Sequence, residues 1–443
     1  MAVSNLLQQV QTYQKSDLAY LLNLTCAIET FNTKFLNFQE FVGNLGSTVN
    51  FDLPARFLTT AGLVATFQPS VQRLQPLSCD QAANTSATYS AQEMVFNLDD
   101  ANNSYMDSFG KAAMIELANQ IEANVLRNFD SSVPVNTIVN GQTVPTGALH
   151  TESGPFRFMG NGITAINSYT QLQQFIELYK NFGSPKNDIR VYLPNLIIPG
   201  IIGSGLAQFA PKRNDDIAMS WELGTFAGVN YYSSNLLPVH FSGNVGNDQT
   251  VLTLVSTNDP TGDNVTQLTF SGAGVSDANA IKSGDMFQFQ DGVSGEQNIR
   301  YRQFIGHQIS GVPVQFRSNG NVASSGVGNV TINITPALCS NPSNSNFNLS
   351  IPLSAGMQVL SVPDHVAGAI IGGNAAFLAM PKLPSTAPFP SSSEIDKDTG
   401  VSMRLYYGTL FGQNQYGYIH DATWASTIPP EYVARICIPL SQV

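Results

Sequence analysis

Apolar residues recur at steps of three and four between Ser104 and Phe129, and this spacing places them on one face of a helix. The residues that we expect to pack from this face include Met106, Phe109, Leu117, Ile121 and Val125. Ser104 followed by Asp107 matches a capping box at the start. A helix of about 26 residues would be roughly 39 Å long, whereas helices in globular domains average about 11–12 residues. The pattern therefore predicts either a core helix of an ordinary domain or a spine helix along which a flat subunit is built.

Two segments with different patterns precede this helix. Residues 1–48 carry a broad apolar face at helical spacing, and such an amphipathic segment must dock on its own domain or on a partner. Residues 49–98 alternate in a way that favours strands, with a polar bend expected around Asn84. About 50 residues without a helix are unusual in a compact domain. We therefore interpret them as an extended loop or hairpin, an arm that reaches a neighbouring subunit, with a polar tip at residues 80–90.

The second half of the chain changes to short strands. Residues 242–350 contain closely spaced strand patterns separated by glycine and asparagine, which predicts a small barrel or sandwich. A mixed pattern of helices and strands lies before and after it, so we expect an inserted domain whose two ends lie close together. Residues 381–393 hold several prolines and are expected to form a loop. The predicted division of the chain is 1–48, 49–98, 99–241, 242–350 and 351–443.

Composition narrows the class of protein. Hydrophobic residues make up 43% of the chain and charged residues only 12%, about half the usual share of roughly 25%. Low charge is typical of chains that hide much of their surface against neighbours, and also of secreted β-rich proteins. The net charge is −11 and no run of lysine or arginine occurs, so the chain lacks the clustered basic residues that tight nucleic-acid binding requires.

The sequence contains few candidate catalytic or ligand-binding motifs. The four cysteines and five histidines are scattered without CxxC or HExxH spacing, and no GxSxG or phosphate-binding loop occurs. Asp259 and Asp263 frame a turn that either holds calcium or is simply an Asp-rich turn. We therefore predict no catalytic, cofactor or metal site, and no enzyme. Without a signal peptide or an apolar run of membrane length, we expect a protein made and used in a reducing cytoplasm.

The order of elements, together with several short stretches, resembles a known family. The stretches are Phe226-Ala-Gly-Val, Ser233-Ser-Asn-Leu-Leu-Pro238, Thr269-Phe-Ser-Gly, Ile281-Lys-Ser-Gly-Asp-Met-Phe-Gln-Phe289, Val330-Thr-Ile-Asn-Ile-Thr-Pro336, Phe377-Leu-Ala-Met-Pro-Lys-Leu-Pro384 and Pro430-Glu-Tyr-Val-Ala-Arg-Ile-Cys-Ile-Pro439. In that order they resemble the major coat proteins of the P22-like tailed bacteriophages. The likeness is clearest over residues 220–440, and the chain departs from the family at residues 80–90 and 381–393.

The resemblance implies both a fold and a function. The fold is α+β and HK97-like, with an N-terminal arm (1–48), an extended E-loop (49–98), a long spine helix, peripheral and axial domains (99–241 and 351–443) and an inserted β-barrel (242–350). The function is that of a major capsid protein of a tailed double-stranded DNA phage. The implied partners are other copies in hexamers and pentamers, a scaffolding protein, the portal and the packaged DNA, which is enclosed without sequence-specific binding, with decoration proteins left open. Assembly would take place in the host bacterial cytoplasm, with the product in the virion capsid and no membrane involved.

Site residues follow from the arm and the N-terminal segment. By resemblance, the acidic residues Asp17 and Glu29 are scaffold-contact candidates. The arm has no lysine between Asn50 and Asn97, so we expect it to hold its neighbour through non-covalent contacts rather than through an isopeptide bond. The expected inter-subunit contacts are Arg56, Leu63, Val64, Phe67, Val71, Arg73 and Leu74. Two alternatives remain: a β-rich virion-surface protein that binds or cleaves glycans, which would need a carboxylate pair in an aromatic cleft, and an encapsulin-like nanocompartment shell.

Overall fold

The chain combines a few helices with many strands, so the predicted mixture of the two is confirmed. The computed structural model describes Leu18, Leu21 and residues 26–33, 48–59, 63, 67, 73–79, 81–90, 111–130, 137–139, 142–144, 154–184, 187–203, 225–226, 228–291, 298–303, 306–384, 391–396, 400–410 and 415–443. None of the helices in these residues is both long enough and apolar enough to cross a membrane. One apolar cluster runs from the N-terminal helices through a central sheet into the interior of a barrel.

The helix predicted over residues 104–129 is present in its described part. The first elements are α1 Ala27–Thr30, β1 Thr48–Leu53, β2 Arg73–Ser78, β3 Gln81–Ser90 and α2 Lys111–Leu126, which continues into the 3₁₀ turn Arg127–Phe129. Three of the predicted packing residues on α2 are buried: Leu117, Ile121 and Val125. The other two, Met106 and Phe109, lie outside the described residues.

Residues 26–33 of the predicted N-terminal arm dock on the core of their own chain. The buried Glu122 on α2 accepts a hydrogen bond from the backbone N–H of Ala27 at 2.8 Å, at the start of α1. At the other end of α1, the Thr30 hydroxyl lies 2.7 Å from the Tyr192 hydroxyl. A carboxylate at a helix start meets backbone N–H groups that have no partner inside the helix, so this contact satisfies both sides.

The next part of the chain supplies a separate two-stranded ladder and then five strands of a seven-stranded core sheet. The next elements are β4 Thr137–Val139, β5 Gln142–Val144, β6 Phe158–Met159, α3 Tyr169–Asn181, β7 Ile189–Leu193, the 3₁₀ turn Asn195–Ile197, α4 Ile198–Gly203, β8 Thr225–Phe226, β9 Val229–Ser233 and β10 Val239–His240. The N-cap residue of α3 is Ser168, whose hydroxyl accepts from the Gln171 N–H. The chain leaves α3 through Gly183 at φ +82°, a conformation that glycine adopts without strain.

The predicted barrel is present, and it is closed. Its region contains α5 Asn244–Asn247, β11 Leu252–Thr257, β12 Val265–Ser271, β13 Met286–Phe289, β14 Arg300–Arg302, β15 Ile309–Pro313, β16 Gln315–Ser318, β17 Asn329–Leu338 and β18 Gln358–Ser361. The barrel order is β11-β12-β17-β16-β13-β18, and β14 and β15 form a separate ladder. Stacked rings fill the interior: Phe316 lies 5.3 Å from Phe287 and 6.2 Å from Phe270 between ring centroids.

The barrel extends beyond the boundary predicted at residue 350. Its closing strand β18 pairs with β11 on one side and β13 on the other, and it buries Val359 and Ser361 inside. From the sequence, Met357 and the following residues were expected to resume the surrounding fold, because a single short apolar strand gives no sign of which sheet it joins. The barrel therefore needs the chain up to Ser361.

The C-terminal part returns to the core sheet and adds a second sheet. Its elements are β19 His365–Ile371, β20 Phe377–Ala379, β21 Ser391–Ile395, β22 Ser402–Leu410, β23 Gln415–Thr427, the 3₁₀ turn Pro430–Tyr432, β24 Val433–Pro439 and the 3₁₀ turn Leu440–Gln442. The core sheet runs β6-β24-β19-β7-β9-β8, with β10 also paired to β19. The C-terminal sheet runs β20-β23-β22-β21, with β3 also on β23. Strand β21 occupies part of the predicted loop at 381–393.

The predicted polar tip at residues 80–90 is wrong. Residues 81–90 form β3, which pairs along its whole length with β23, from Gln81 opposite Trp424 to Ser90 opposite Gln415. Asn84 and its polar neighbours suggested a bend, but Ala83 and Ala87 alternate with them and pack against the apolar clusters. Small side chains at every second position let a polar sequence lie flat on a sheet. The two-stranded part of the arm is instead β1 paired with β2.

The barrel enters and leaves the core sheet through adjacent strands. Strand β10 precedes the barrel, β19 follows it, and the two are antiparallel neighbours with Val239 opposite Val366 and His240 opposite His365. We call this short ladder the stem. The two ends of the inserted segment are therefore neighbours in the fold.

Excising the barrel tests the revised boundary. A fragment of residues 242–364 is expected to fold with a cooperative thermal melt and a β-type circular dichroism spectrum, because it contains all six strands. A fragment of residues 242–350 lacks β18, which leaves open edges on β11 and β13, and should melt at a lower temperature or without cooperativity. Equal melting curves for the two fragments would refute the role of β18.

Candidate functional site

The predicted arm contacts include strongly exposed apolar side chains. Leu63 and Phe67 have relative exposures of 106% and 96%, and Leu74 is 45% exposed on β2. Val64 and Val71 lie outside the described residues. Phe57, which sequence reasoning did not select, is also 56% exposed in the same stretch. Contact of these side chains with a neighbouring subunit stays a prediction.

The two predicted arm arginines have a partner within their own chain. The carboxylate of Glu431 forms ion pairs with both Arg56 and Arg73, and Arg56 Nη1 also donates to Asn346 Oδ1 at 3.1 Å. Burial alone would raise the pKa of Glu431, but the two guanidinium groups outweigh it and lower that pKa. We call Arg56, Arg73 and Glu431 the arm base. Sequence reasoning missed Glu431 because it lies far along the chain, in a 3₁₀ turn before the last strand.

A buried arginine, Arg157, binds the main chain of the arm-base residue Glu431. Arg157 is fully buried and donates from Nη2 to the main-chain oxygen of Glu431 at 2.5 Å, and the Ser184 hydroxyl donates to the same oxygen at 3.1 Å. The Arg157 guanidinium lies 4.7 Å from the ring centroid of Phe182. These contacts fix the backbone at Glu431, so its side chain is held towards the arm.

A second polar cluster lies at the stem. We call it the stem cluster, and its members are Asp130, His240, Asp285, Arg317, His365 and Arg435. All six are nearly or fully buried. His240 is bound on both ring nitrogens: Nδ1 lies 2.6 Å from Asp130 Oδ1, and Nε2 lies 2.8 Å from Asp285 Oδ1. Burial alone would lower the pKa of His240, but the two aspartates raise it to about 9.

The rest of the stem cluster joins three parts of the fold. Arg435 on β24 donates from Nε to the Phe129 carbonyl at 2.9 Å and from Nη1 to the Gly284 carbonyl at 3.2 Å, while its Nη2 lies 3.4 Å from Asp130. The Asp285 carboxylate accepts the backbone N–H groups of Gly243 and Lys282 in addition to His240. The end of α2, the core sheet and the barrel therefore share one network of buried charges.

The stem cluster was not predicted from the sequence. Its members come from widely separated segments, so no local spacing brings them together. One signal was available: in a chain with only 12% charged residues, Arg435 interrupts an otherwise apolar strand pattern, and Asp285 stands directly before another strand. A charge in such a position is either exposed on an edge or buried with a partner.

The turn that the sequence offered as a calcium site is held by hydrogen bonds within the protein. Asp259 accepts from the backbone N–H groups of Thr261, Asp263 and Asn264 and from the Thr261 hydroxyl, and these bonds lower its pKa to about 2. Its turn borders a cavity of about 600 Å³ at the barrel, which shares no lining residue with the stem cluster. Within the described residues, no three His, Cys, Asp or Glu side chains are placed to hold a metal ion.

The chain is similar in structure to bacteriophage capsid proteins. A capsid structure of the cyanophage P-SCSP1u aligns over 94% of this chain and 88% of its own, with 10% identity and a TM-score of 0.42. The capsid of Ralstonia phage GP4 aligns over 89% and 83%, with 8% identity and a TM-score of 0.42. The cyanophage Pam1 capsid aligns over 90% and 87%, with the same identity and score. No family model and no curated protein matches the sequence.

Proposed function

We propose that this chain is the major capsid protein of a tailed double-stranded DNA bacteriophage, with an HK97-like fold that carries an inserted barrel. The observation that carries the proposal is the arm: its base is tied to the core by Glu431, while Leu63 and Phe67 point their whole side chains into solvent. An apolar side chain of that size contributes roughly 1.5–3 kcal/mol when it is buried. A second copy of the chain is the partner that would bury these residues once in every subunit.

The proposal assigns roles to the parts of the chain. Residues 1–48 are the N-terminal arm with Asp17 and Glu29 as scaffold contacts, although Asp17 and the Glu29 side chain lie outside the described residues. Within the stretch 49–98, the E-loop has β1 and β2 as its ladder, and β3 returns the chain to the C-terminal sheet. The core and C-terminal sheets with α2 form the axial and peripheral domains. Hexamers and pentamers assemble with a scaffolding protein and a portal in the bacterial cytoplasm, and the finished shell encloses DNA.

Many weak contacts suit such a shell. Each exposed apolar contact is modest, so an incorrectly placed subunit can leave, whereas a subunit held by several neighbours at once stays bound. The net charge of −11 suits a capsid shell that encloses DNA without binding its phosphates tightly. The arm carries no lysine between Asn50 and Asn97, so its contacts with neighbours are non-covalent.

Assembly of a double variant tests the proposal. Co-expressed with its scaffolding protein, the native chain is expected to form closed shells visible by electron microscopy, whereas Leu63→Ser with Phe67→Ser should remain as soluble, folded subunits. Both side chains are exposed in the single chain, so the thermal melt of the unassembled variant should be unchanged. The control is Val327→Ser, which removes a 76% exposed apolar side chain from the barrel region and should leave assembly intact.

Four outcomes test the proposed arm contacts and the proposed capsid function. A double variant that assembles like the native chain would refute the role of the arm, and a native chain that stays monomeric with scaffold at every concentration would refute the capsid function. Shells that form around neither scaffold nor DNA would favour a nanocompartment. On a denaturing gel with reductant, disassembled shells should run as single subunits, and ladders of linked subunits would contradict the non-covalent arm.

A further inference from the structure

The two histidines of the stem are held in opposite protonation states by their surroundings. Both nitrogens of His240 face carboxylate oxygens, which only accept hydrogen bonds when ionised, so both nitrogens must carry a proton. His365 Nδ1 lies 2.7 Å from the Pro363 carbonyl and must donate to it. His365 Nε2 lies 3.4 Å from Arg435 Nη1, which can only donate, so Nε2 must be unprotonated. One ring is therefore a cation and the other is neutral.

The two rings sit where the barrel joins the core. They lie opposite each other in the stem ladder, with ring centroids 5.2 Å apart. His240 links Asp130 at the end of α2 to Asp285 at the start of β13, and Arg435 links Phe129 to Gly284 across the same boundary. The two bonds of His240 require a proton on each ring nitrogen, and the Arg435 Nη1 that binds the Gly284 carbonyl also faces His365 Nε2.

Within the described residues, the charged groups near the rings come from every element packed against them, including Arg127 in the 3₁₀ turn beside Asp130. Asp130 comes from the α2 end, Asp285 and Arg317 from the barrel, and Arg435 from the core sheet. Asp364, which directly precedes the stem residue His365, accepts the Ser242 N–H at 2.7 Å. At neutral pH, the cluster and its immediate neighbours therefore hold four cations (His240, Arg127, Arg317 and Arg435) and three carboxylates (Asp130, Asp285 and the partly exposed Asp364), so any proton added to His365 increases an existing positive excess.

We propose that the stem is a proton-sensitive coupling between barrel and core, tightest near pH 6.5 and loosened in both directions. Under acid, a proton on His365 Nε2 would face the N–H of Arg435. Two hydrogen-bond donors and two positive charges would then repel each other. Under alkali, His240 loses one proton, and one of its two aspartates loses its donor. In either case the barrel is released from the core while its own six-stranded ladder remains intact.

The sign of each effect follows from linkage. Burial, Arg435 and His240 hold the pKa of His365 well below its ordinary 6.5. Below pH 6.5, His365 therefore binds a proton in the unfolded chain but not in the folded chain, and the stability of the fold falls as pH falls. Although burial opposes it, the aspartates raise the pKa of His240 to about 9, so its stabilisation is complete below pH 6.5 and is lost as pH rises towards 9. Two opposite shifts on facing residues produce a maximum between them.

The test compares the native full-length chain, before assembly, with His365→Gln. Urea unfolding between pH 5 and 7 is expected to show that the folding equilibrium constant of the native chain falls with acid, by up to about tenfold per pH unit for this one proton. In His365→Gln that share of the slope should disappear, because glutamine does not titrate. The matched control is His307→Gln, which removes a half-buried histidine bonded to the Phe347 carbonyl outside the stem cluster and should keep the native slope.

Hydrogen exchange separates coupling from general stability. At pH 5.5 relative to pH 6.5, after correction for intrinsic rates, the native chain should lose amide protection at residues 239–248 and 362–368, while β12 and β17 inside the barrel stay protected. In His365→Gln the stem should keep its protection. If His365→Gln does not fold, His365→Asn, which retains a donor near Pro363, takes its place. The proposal would be overturned if both His365 variants kept the native pH dependence of the unfolding equilibrium, or if His307→Gln lost it equally. It would also be overturned if the native chain lost amide protection evenly through barrel and core.

Discussion

Replacing Asp285 by asparagine is expected to lower the free energy of unfolding by about 3–5 kcal/mol, the usual cost of removing one partner from a buried ion pair. Asp285 has no exposed surface and accepts from His240 Nε2 and from two backbone N–H groups. An asparagine of the same shape removes the charge, and its amide nitrogen must face either the imidazolium or a backbone donor. Urea unfolding of the unassembled chain at pH 6.5 measures the change.

The matched control makes the same substitution on the same barrel. Asp291 pairs with Arg300 at the surface, with its side chain 40% exposed. Asp291→Asn is expected to change the unfolding free energy by less than about 1 kcal/mol, because exposed ion pairs contribute little. If the two variants lose equal stability, the buried ion pairs of the stem cluster do not stabilise the attachment of the barrel to the core.

Replacing Glu431 by glutamine is expected to free the arm from the core and to cost about 2–3 kcal/mol of unfolding free energy. Two guanidinium groups would then share a neutral amide that can accept at only one oxygen. The main-chain oxygen of Glu431 would still bind Arg157 and Ser184, so the last strand should remain in place. The loss of amide protection should therefore be confined to β1 and β2, where hydrogen exchange can detect it.

The control for this variant is Glu177→Gln on α3. Glu177 pairs with Lys180 one turn away, and its side chain is 55% exposed. It should change neither stability beyond about 0.5 kcal/mol nor the exchange of β1 and β2. Unchanged exchange of β1 and β2 in Glu431→Gln would show that the arm is held by something other than its base.

What the sequence could predict depended on whether the signal was local. The spacing around Leu117 and Ile121 is helical, and α2 follows it. The alternation in residues such as Val330 and Ile332 is that of a strand with one buried face, and β17 follows it. Both patterns involve only residues that are close in sequence, so α2 and β17 could be predicted without information on distant segments.

The errors arose where the partner was distant. The short strand β18 could not be assigned to the barrel, because membership depends on the edges of β11 and β13 rather than on its own residues. The polar residues around Asn84 looked like a turn until β23 supplied a partner along the whole strand. The partner of Arg56 and the six groups of the stem cluster lie in separate segments, and single-sequence periodicity carries no information on such pairings.

The stem also bears on how such a chain could acquire its barrel. Because His240 and His365 face each other on adjacent antiparallel strands, a tight turn between them would close a simple hairpin in the core sheet. The order of strands in that sheet is the same whether a short turn or a whole barrel lies between the two residues. A gene could therefore gain or lose the barrel by a single in-frame event at this point, and the main adjustment required of the core would be to rebalance the charges of Asp130 and Arg435.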